Sequence, residues 1–546
     1  MKVLSLLLAF VTFPLAAYAA FGYTDNGSEY VIDSGASLVI KVSKTNGDIS
    51  SMVYNGVEYQ GYSGRNTQVE AGLGSSTVTI EQFSSPAPII KVAVVYKSLK
   101  HYIVVRSGND NVYLFTNKGD DSVAASRYIV RLKGGIFSHE ETESDYIDSS
   151  ETVEAHDILI NSDGYTKSKH YQGSNYGRVI DFDYVGRSTD SVGVWLIRSN
   201  HEKASGGPFF RSLVCDAGPE TESLYEIYFY SMGHTDPQRF GLQGPTVLSF
   251  TGGEAPNSAL FAQNADWSWI DTLGIDGWTT WADRGWISGV GISGMKLGYE
   301  YTVGLSNTDA QYWTKVSSGA AWMIKHVLPG TYTLTVYKKE LEVFTSEVTI
   351  SAGKGSAMHT ITLNDDPADV NAIWRIGDWD GTPAGFLNFD AEPMLPTYMH
   401  PSDGRLSPWK SGNFIVGTSD NNTFPGYMWT DVNNGHLVYF KLSKEQYTSA
   451  HTIRVGLTEA YINGRPQITV NEWTSKLQTA SSQGGTRSLT VGTYRGNNVV
   501  FSFDVPASAW VQSTSEWQVL KINVVSGSTG SGYLSPAISF DCVDMI

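Results

Sequence analysis

Short apolar runs alternating with turn signals dominate the chain from its start. Residues 38–42 (Leu-Val-Ile-Lys-Val) lead into Thr45-Asn46-Gly47-Asp48, then into the apolar run 49–54, after which Asn55-Gly56 turns the chain again. Asn-Gly accommodates the positive φ angles of a tight hairpin, so this stretch predicts an antiparallel meander. Similar runs recur at 89–96, 102–106, 111–115, 128–132, 191–197 and 225–230. No stretch before about residue 270 carries the 3.6-residue period of a long amphipathic helix. The first part of the mature chain, 20–283, therefore predicts a large antiparallel β-sandwich.

Two seams divide the rest. The polar stretch 276–285 precedes a new strand at 286–292, and a module of about ninety residues follows, taken as 284–366. Its strands are expected at 332–337, after the turn Pro329-Gly330, then at 341–344 and 347–350, the alternation of a small immunoglobulin-like sandwich. The second seam is Asn364-Asp365-Asp366-Pro367-Ala368-Asp369, after which 367–546 reads as a third β domain of jelly-roll size. Strands are expected there at 414–416, 437–442, 452–457, 499–503 and 519–525, and the whole chain reads as all-β.

Composition narrows the setting. A length of 546 residues fits about three domains. Only 17% of residues are charged, while Gly, Trp and Tyr are abundant, which suits a secreted β-rich protein. The net charge of −17 argues against nucleic acid, whose phosphates require clustered cations. An anionic substrate would need a local basic cleft. Met1-Lys2, the apolar stretch 3–15 and Ala17-Tyr18-Ala19 have the three regions of a secretory signal peptide, 1–19, and no later stretch has the ~20 apolar residues of a membrane helix. Cys215 and Cys542 are expected as unpaired thiols in different domains. Asn26-Gly27-Ser28 and Asn421-Asn422-Thr423 are glycosylation sequons.

The basic residues between Arg127 and Arg211 are the main local anomaly in an acidic chain. Arg127 and Arg131, four apart, share a strand face and could hold a carboxylate, since guanidinium binds carboxylate as a fork. Any one of these cations could equally be an ordinary charge paired with Asp or Glu. In Thr166-Lys167-Ser168-Lys169-His170-Tyr171, Lys167 and Lys169 share a face if extended; a lysine among other cations loses its proton more easily and can act as a general base. Tyr228 and Tyr230 would share a strand face, with His234 after Gly233 at the strand end. No HExxH, paired CxxC, GxSxG or P-loop occurs. Acidic pairs for glycoside hydrolysis, around Glu140-Glu141-Thr142-Glu143 and Asp145, remain open.

The order of short landmarks closely resembles the fungal-type rhamnogalacturonan endolyases of polysaccharide lyase family four. They include Thr166 to Tyr171, Ser205-Gly206-Gly207-Pro208-Phe209, Gly233-His234 and Gly241-Leu242-Gln243-Gly244-Pro245 in the first domain. Asp309-Ala310-Gln311-Tyr312-Trp313-Thr314 follows in the second, and Ile376-Gly377-Asp378-Trp379-Asp380-Gly381, Met399-His400-Pro401-Ser402-Asp403 and Tyr494-Arg495-Gly496 in the third. The resemblance implies a galactose mutarotase-like super-sandwich, a fibronectin type III-like module and a carbohydrate-binding-like jelly roll. It implies Lys169 as base and His234 as acid or charge stabiliser, with Arg127, Tyr228, Tyr230 and Arg487 lining the substrate cleft; the tyrosines match only across a one-residue gap. His170 stands where the family usually has Phe, and Gln243 where it has His.

The implied reaction is β-elimination at the rhamnose-α-1,4-galacturonate bond of rhamnogalacturonan I, leaving a 4,5-unsaturated galacturonate. A lysine base must be neutral although a free lysine has a pKa of about 10.4, so a neutral His234 with a cationic Lys169 is the other assignment. No cofactor is expected for catalysis, and Asp378, Asp380 and Asp541 are loose candidates for a structural Ca²⁺. The expected protein is a secreted monomer acting on the polysaccharide, with neither nucleic acid nor membrane as partner. The alternatives are a non-catalytic glycan-binding protein, which binds pectin without forming the double bond, and a glycoside hydrolase, which yields saturated ends.

Overall fold

A computed structural model describes residues 20–61, 65–139, 149–154, 158–168, 178–217, 221–229, 236–261, 265–358, 360–387, 389, 410–460, 463–481, 498–529 and 536–546. The predicted signal peptide, 1–19, lies outside the described residues. The N-terminal meander forms as its turns dictate: Gly22–Asp25, Glu29–Asp33, Leu38–Ser43, Ile49–Tyr54 and Val57–Glu58 pair in sequence order as a five-stranded sheet. Asn55 and Gly56 close the last hairpin at φ 50° and 78°, the left-handed pair that a two-residue turn requires.

Two further sheets face each other as the body of the first domain. The seven-stranded one runs, in order, Tyr184–Ser188, Gly193–Arg198, Gly241–Thr251, Asn111–Lys118, Leu99–Arg106, Ile89–Tyr96 and Thr77–Phe83. The four-stranded one runs Leu213–Ala217, Thr221–Phe229, Ser126–Lys133 and Gln68–Val69. Successive side chains of a strand point to opposite faces, so Val92, Ile103, Leu114, Val194 and Leu248 of one sheet meet Tyr128, Val130, Leu213 and Leu224 of the other in one core. The outer face of the seven-stranded sheet is apolar as well. It is covered by the tryptophan-rich segment before the first seam, where Trp267, Trp269, Ile270 and Leu273 pack on Tyr102, Val104, Tyr113 and Phe115. Each such side chain contributes roughly 1.5–3 kcal/mol by leaving water. The outer face of the four-stranded sheet has a different character, and its charges are described below.

The middle module pairs a three-stranded sheet (Trp322–Val327, Gly285–Gly289, Gly355–Met358) with a four-stranded one (Gln311–Lys315, Tyr301–Ser306, Gly330–Lys338, Leu341–Ile350). The two strands expected at 341–344 and 347–350 are one: Thr345 and Ser346 pair with Thr335 and Leu334, so the polar pair does not interrupt the ladder. In the third domain, Trp374–Gly377, Ile538–Met545, His451–Ala460 and Val499–Val505 form one sheet, and Phe414–Ile415, His436–Phe440, Gln518–Val525, Arg465–Val470 and Trp473–Thr474 the other. Its core is built from Phe424, Val438, Ile453, Val455, Leu520 and Phe540. The one α-helix among the described residues is Lys444–Tyr447, started by a capping box of Ser443 and Gln446. Cys215 and Cys542 are buried in different domains and form no disulfide among the described residues.

The domains are joined by buried polar contacts. Arg284 places Nη1 2.7 Å from Glu202 Oε2, the same oxygen that accepts from the Tyr312 hydroxyl at 2.8 Å. At the other seam, the turn joining the middle module's last long strands touches both neighbours. Glu340 accepts from Arg178 Nη1 at 3.3 Å, its carbonyl accepts from Asn498 Nδ2 at 2.8 Å, its backbone N–H donates to the Asp380 carbonyl at 3.0 Å, and Lys339 Nζ lies 2.6 Å from Asp380 Oδ2.

Candidate active site

The strand Ser126–Lys133 sends Tyr128, Val130 and Leu132 to the core and Arg127 and Arg131 to the opposite face, where Ile129 between them is buried. The predicted shared face is therefore present. Arg127 lies opposite Ile227 and Arg131 opposite Ser223 on the neighbouring strand. Arg131 Nη1 donates to Ser223 Oγ at 2.9 Å and to the Tyr225 hydroxyl at 3.3 Å, and its guanidinium lies 5.6 Å from the Tyr225 ring centre. Arg127 grips Glu70 with two nitrogens, Nε to Oε2 at 2.8 Å and Nη2 to Oε1 at 3.2 Å. Arg127 and Glu70 side chains keep 22% and 17% of their exposure, so the pair sits at the surface of the sheet rather than inside it. Two guanidinium groups and a phenol on one open face can receive a carboxylated sugar.

Lys169, His234, Tyr230 and Arg487 lie outside the described residues. Lys169 directly follows the strand Thr166–Ser168, whose Lys167 pairs with Leu159, and His234 is five positions beyond Phe229, the end of the strand opposite Arg127. Tyr228 corrects its expectation. It points into the sandwich, 4% exposed, with its hydroxyl 3.2 Å from Thr246 Oγ1 and its ring 4.7 Å from the Arg198 guanidinium carbon. Tyr228 continues the inward series of Leu224 and Glu226 along its strand, so the same two-residue period that buries Leu224 carries it to the core side.

The basic run also divides differently from the expectation of one cluster. Arg198 is 1% exposed and bound to Glu226 at 2.7 Å, Arg187 is fully buried 3.1 Å from Glu222, and Arg178 pairs with Asp181 and Glu340. These arginines hold the sandwich and the seam together, leaving Arg127, Arg131 and the exposed Lys133 as the outward cations of this strand.

Glu70 is the residue that sequence reasoning did not find: it lies 57 positions from its partner, and nothing in a turn at Glu70-Ala71-Gly72 signals an ion pair. Gln243 is 3% exposed, its Nε2 has no hydrogen-bond partner, and it lines a small cavity together with Arg127 and Tyr228. Of the carboxylates considered for Ca²⁺, Asp378 is exposed, while Asp380 and Asp541 are buried. Asp380 is bound by Lys339 and Thr382, and Asp541 accepts the backbone N–H groups of Asp380 and Gly381 at 3.0 and 2.7 Å. Burial, then the neighbouring Asp380, hold the Asp541 carboxyl well above the usual carboxylate range. Among the described residues, no group of three or more His, Cys, Asp or Glu gathers as a metal-ligand set.

Comparison with known proteins accounts for the three-part build. Residues 21–277 match the family described as "Rhamnogalacturonan lyase B, N-terminal", 282–358 match "Polysaccharide lyase family 4, domain II", and 372–545 match "Polysaccharide lyase family 4, domain III". Full-length relatives include "Rhamnogalacturonate lyase A" of Emericella nidulans, 35% identical over 99% of this chain and 98% of the relative. The protein of the same name from Aspergillus aculeatus is 35% identical over 99% of each chain. The likeness runs through all three domains and the seams between them, and the chain belongs to polysaccharide lyase family four.

Proposed function

We propose that this lyase cleaves rhamnogalacturonan I inside the chain by β-elimination, as a secreted monomer. The observation that carries the reading is the outward pair Arg127 and Arg131 on an otherwise acidic molecule, in a chain alike from end to end to rhamnogalacturonate lyases. In the substrate, galacturonate bears a carboxylate at C5 and rhamnose on O4. The C5–H bond breaks to a base, its electron pair forms C4=C5, the C4–O4 bond breaks, and O4 leaves with a proton from an acid; no water is consumed. The costly step places negative charge beside a carboxylate, and a positioned cation stabilises that charge as it develops. Arg127 is suited to this, with Lys169 and His234 as the base and acid pair and Arg487, a residue of the third domain, as a further substrate contact. A lysine base must be held neutral by neighbouring cations or desolvation; with His234 as base, Lys169 keeps its charge and stabilises the intermediate. The domains of this reading are 20–283, 284–366 and 367–546.

The test is incubation of the purified protein with deacetylated rhamnogalacturonan I, reading ultraviolet absorbance of the new double bond beside saturated reducing ends. Growth of absorbance is expected, abolished in Lys169→Ala and in His234→Ala with the fold intact. Saturated ends without absorbance would replace elimination with hydrolysis, and a near-normal rate in either variant would remove that residue from the mechanism.

A further inference from the structure

A second cavity lies toward the outer face of the seven-stranded sheet. It measures about 350 Å³ and opens between the first domain and the middle module, lined by Trp278, Trp281, His326, Trp313, His201 and Lys325 among others, within the size range of small-ligand sites. Trp267, which lines it too, packs on the outer face of the seven-stranded sheet. Arg127 and Arg131 stand on the outer face of the opposite sheet, and the two places are joined through the sandwich by Arg198, which lines this cavity and donates to the carbonyl of Ile227, the residue opposite Arg127.

The lining has the chemistry of a sugar platform. Trp278 and Trp281 are parallel within 6° at 6.2 Å, and the His326 ring lies 3.8 Å from Trp281 at 17°, so three rings run in near-parallel succession. Trp313 is backed by His201 at 4.4 Å. Trp278, Trp281 and Trp313 are each half-buried, which leaves part of each ring to the cavity. Flat rings of this kind offer large apolar area with little conformational freedom to lose, and they suit the C–H faces of a pyranose. His201 Nδ1 is buried without a hydrogen-bond partner; burial, then Arg198, depress the imidazole to about 3, leaving it neutral and able to bond a hydroxyl. An unpaired buried polar atom costs free energy unless a ligand or water satisfies it.

Charge selects among sugars. Four cationic side chains line the cavity, Arg198, Arg284, Lys315 and Lys325, against the single carboxylate Asp183. Arg198 and Arg284 are committed to Glu226 and Glu202, and Lys315 lies 3.2 Å from Asp181. Lys325 is exposed and has no ion pair among the described residues. In a protein of net charge −17, Lys325 beside the aromatic walls is the cation left to meet a sugar carboxylate, which favours an acidic chain over a neutral one.

We propose that this interdomain cavity is a second glycan-binding site, which holds a carboxylated sugar chain away from the face where cleavage occurs. That its natural ligand is the substrate polymer rests on the proposed function; that it takes a uronate does not. The probe is a deesterified oligogalacturonate, which carries the carboxylates but lacks the rhamnosyl linkage proposed for cleavage. A neutral galactan oligosaccharide of equal length is the control, and binding is followed by tryptophan emission and calorimetry at low salt. Saturable binding of the acidic chain is expected, weakened roughly tenfold by Lys325→Glu and by Trp313→Ala. Arg127→Ala should leave that component in place. Absence of saturable binding by the wild-type protein, or an unchanged affinity in the surface variant Lys325→Glu, would overturn the proposal, as would equal binding of the neutral chain. Failure of the wild-type protein to form unsaturated product would strike the proposed reaction and leave this measurement untouched.

Discussion

Arg127 and Glu70 form a two-point ion pair on the open face of the four-stranded sheet, at 2.8 and 3.2 Å. The pair fixes the guanidinium plane before any substrate arrives, which spares the ordering cost at the moment of reaction. It also means that deleting Arg127 does more than remove a cation, because the Glu70 carboxylate is left to repel an incoming uronate. Arg127→Ala is expected to lower kcat/KM by at least about 100-fold. Arg127→Ala with Glu70→Gln should regain part of that loss, chiefly in KM. Initial rates of absorbance growth across substrate concentration separate the two terms; a double variant no better than the single one would refute the electrostatic account.

Acid stability depends on buried imidazoles. His101 is 2% exposed, stacked 5.4 Å from the Tyr128 ring, and burial pushes it down to about 3. Below its ordinary value near 6.5 the unfolded chain takes a proton that the folded one refuses. Stability therefore falls as pH drops from about 6.5 toward 3, by on the order of 1 kcal/mol per pH unit for such a site. Asp48 acts in the opposite sense: burial lifts its carboxyl to about 6, against a weaker opposing hydrogen bond from Asn46, so its proton favours the folded state as pH falls from about 6 to 4. Thermal midpoints between pH 7 and 4 should fall less steeply in His101→Gln and more steeply in Asp48→Asn than in the parent.

Arg198 and Glu226 are both buried, and Arg198 also donates to Ser212 Oγ and, at 2.9 Å, to the Ile227 carbonyl. Arg198→Met would strand the carboxylate inside the sandwich, at a cost of about 3–5 kcal/mol. Arg198→Met with Glu226→Leu should cost less, because no charge is left unpaired. Urea unfolding reports this in the transition of the first domain, since three domains need not melt together.

Much of the architecture can be read from local pattern. The hairpin at Asn55-Gly56 and the shared outer face of Arg127 and Arg131 follow from turn chemistry and a two-residue period, both short-range properties. The inward Tyr228 obeys the same period counted from Leu224, but which face of that strand meets the core is decided by the packing of the two sheets. Glu70 escapes for another reason: an ion pair across 57 residues is decided by sheet order, which no single strand encodes. The stretch before the first seam offers no strand or helix pattern, yet its tryptophans close over the seven-stranded sheet and wall a cavity. Their clustering between 267 and 281 was the available signal, and it is intelligible only once the apolar outer face of that sheet is known.

The turn at Lys338 to Leu341 reaches Arg178 on one side and Asp380 and Asn498 on the other. The smallest of the three domains is thereby a keystone rather than a spacer. Arg178 belongs to the first domain and Asn498 to the third, so one short loop ties the middle module to both neighbours. Transplanting the first domain alone into another protein would lose the Arg178–Glu340 pair, and lengthening the seams would loosen the ties that the loop makes to both neighbours.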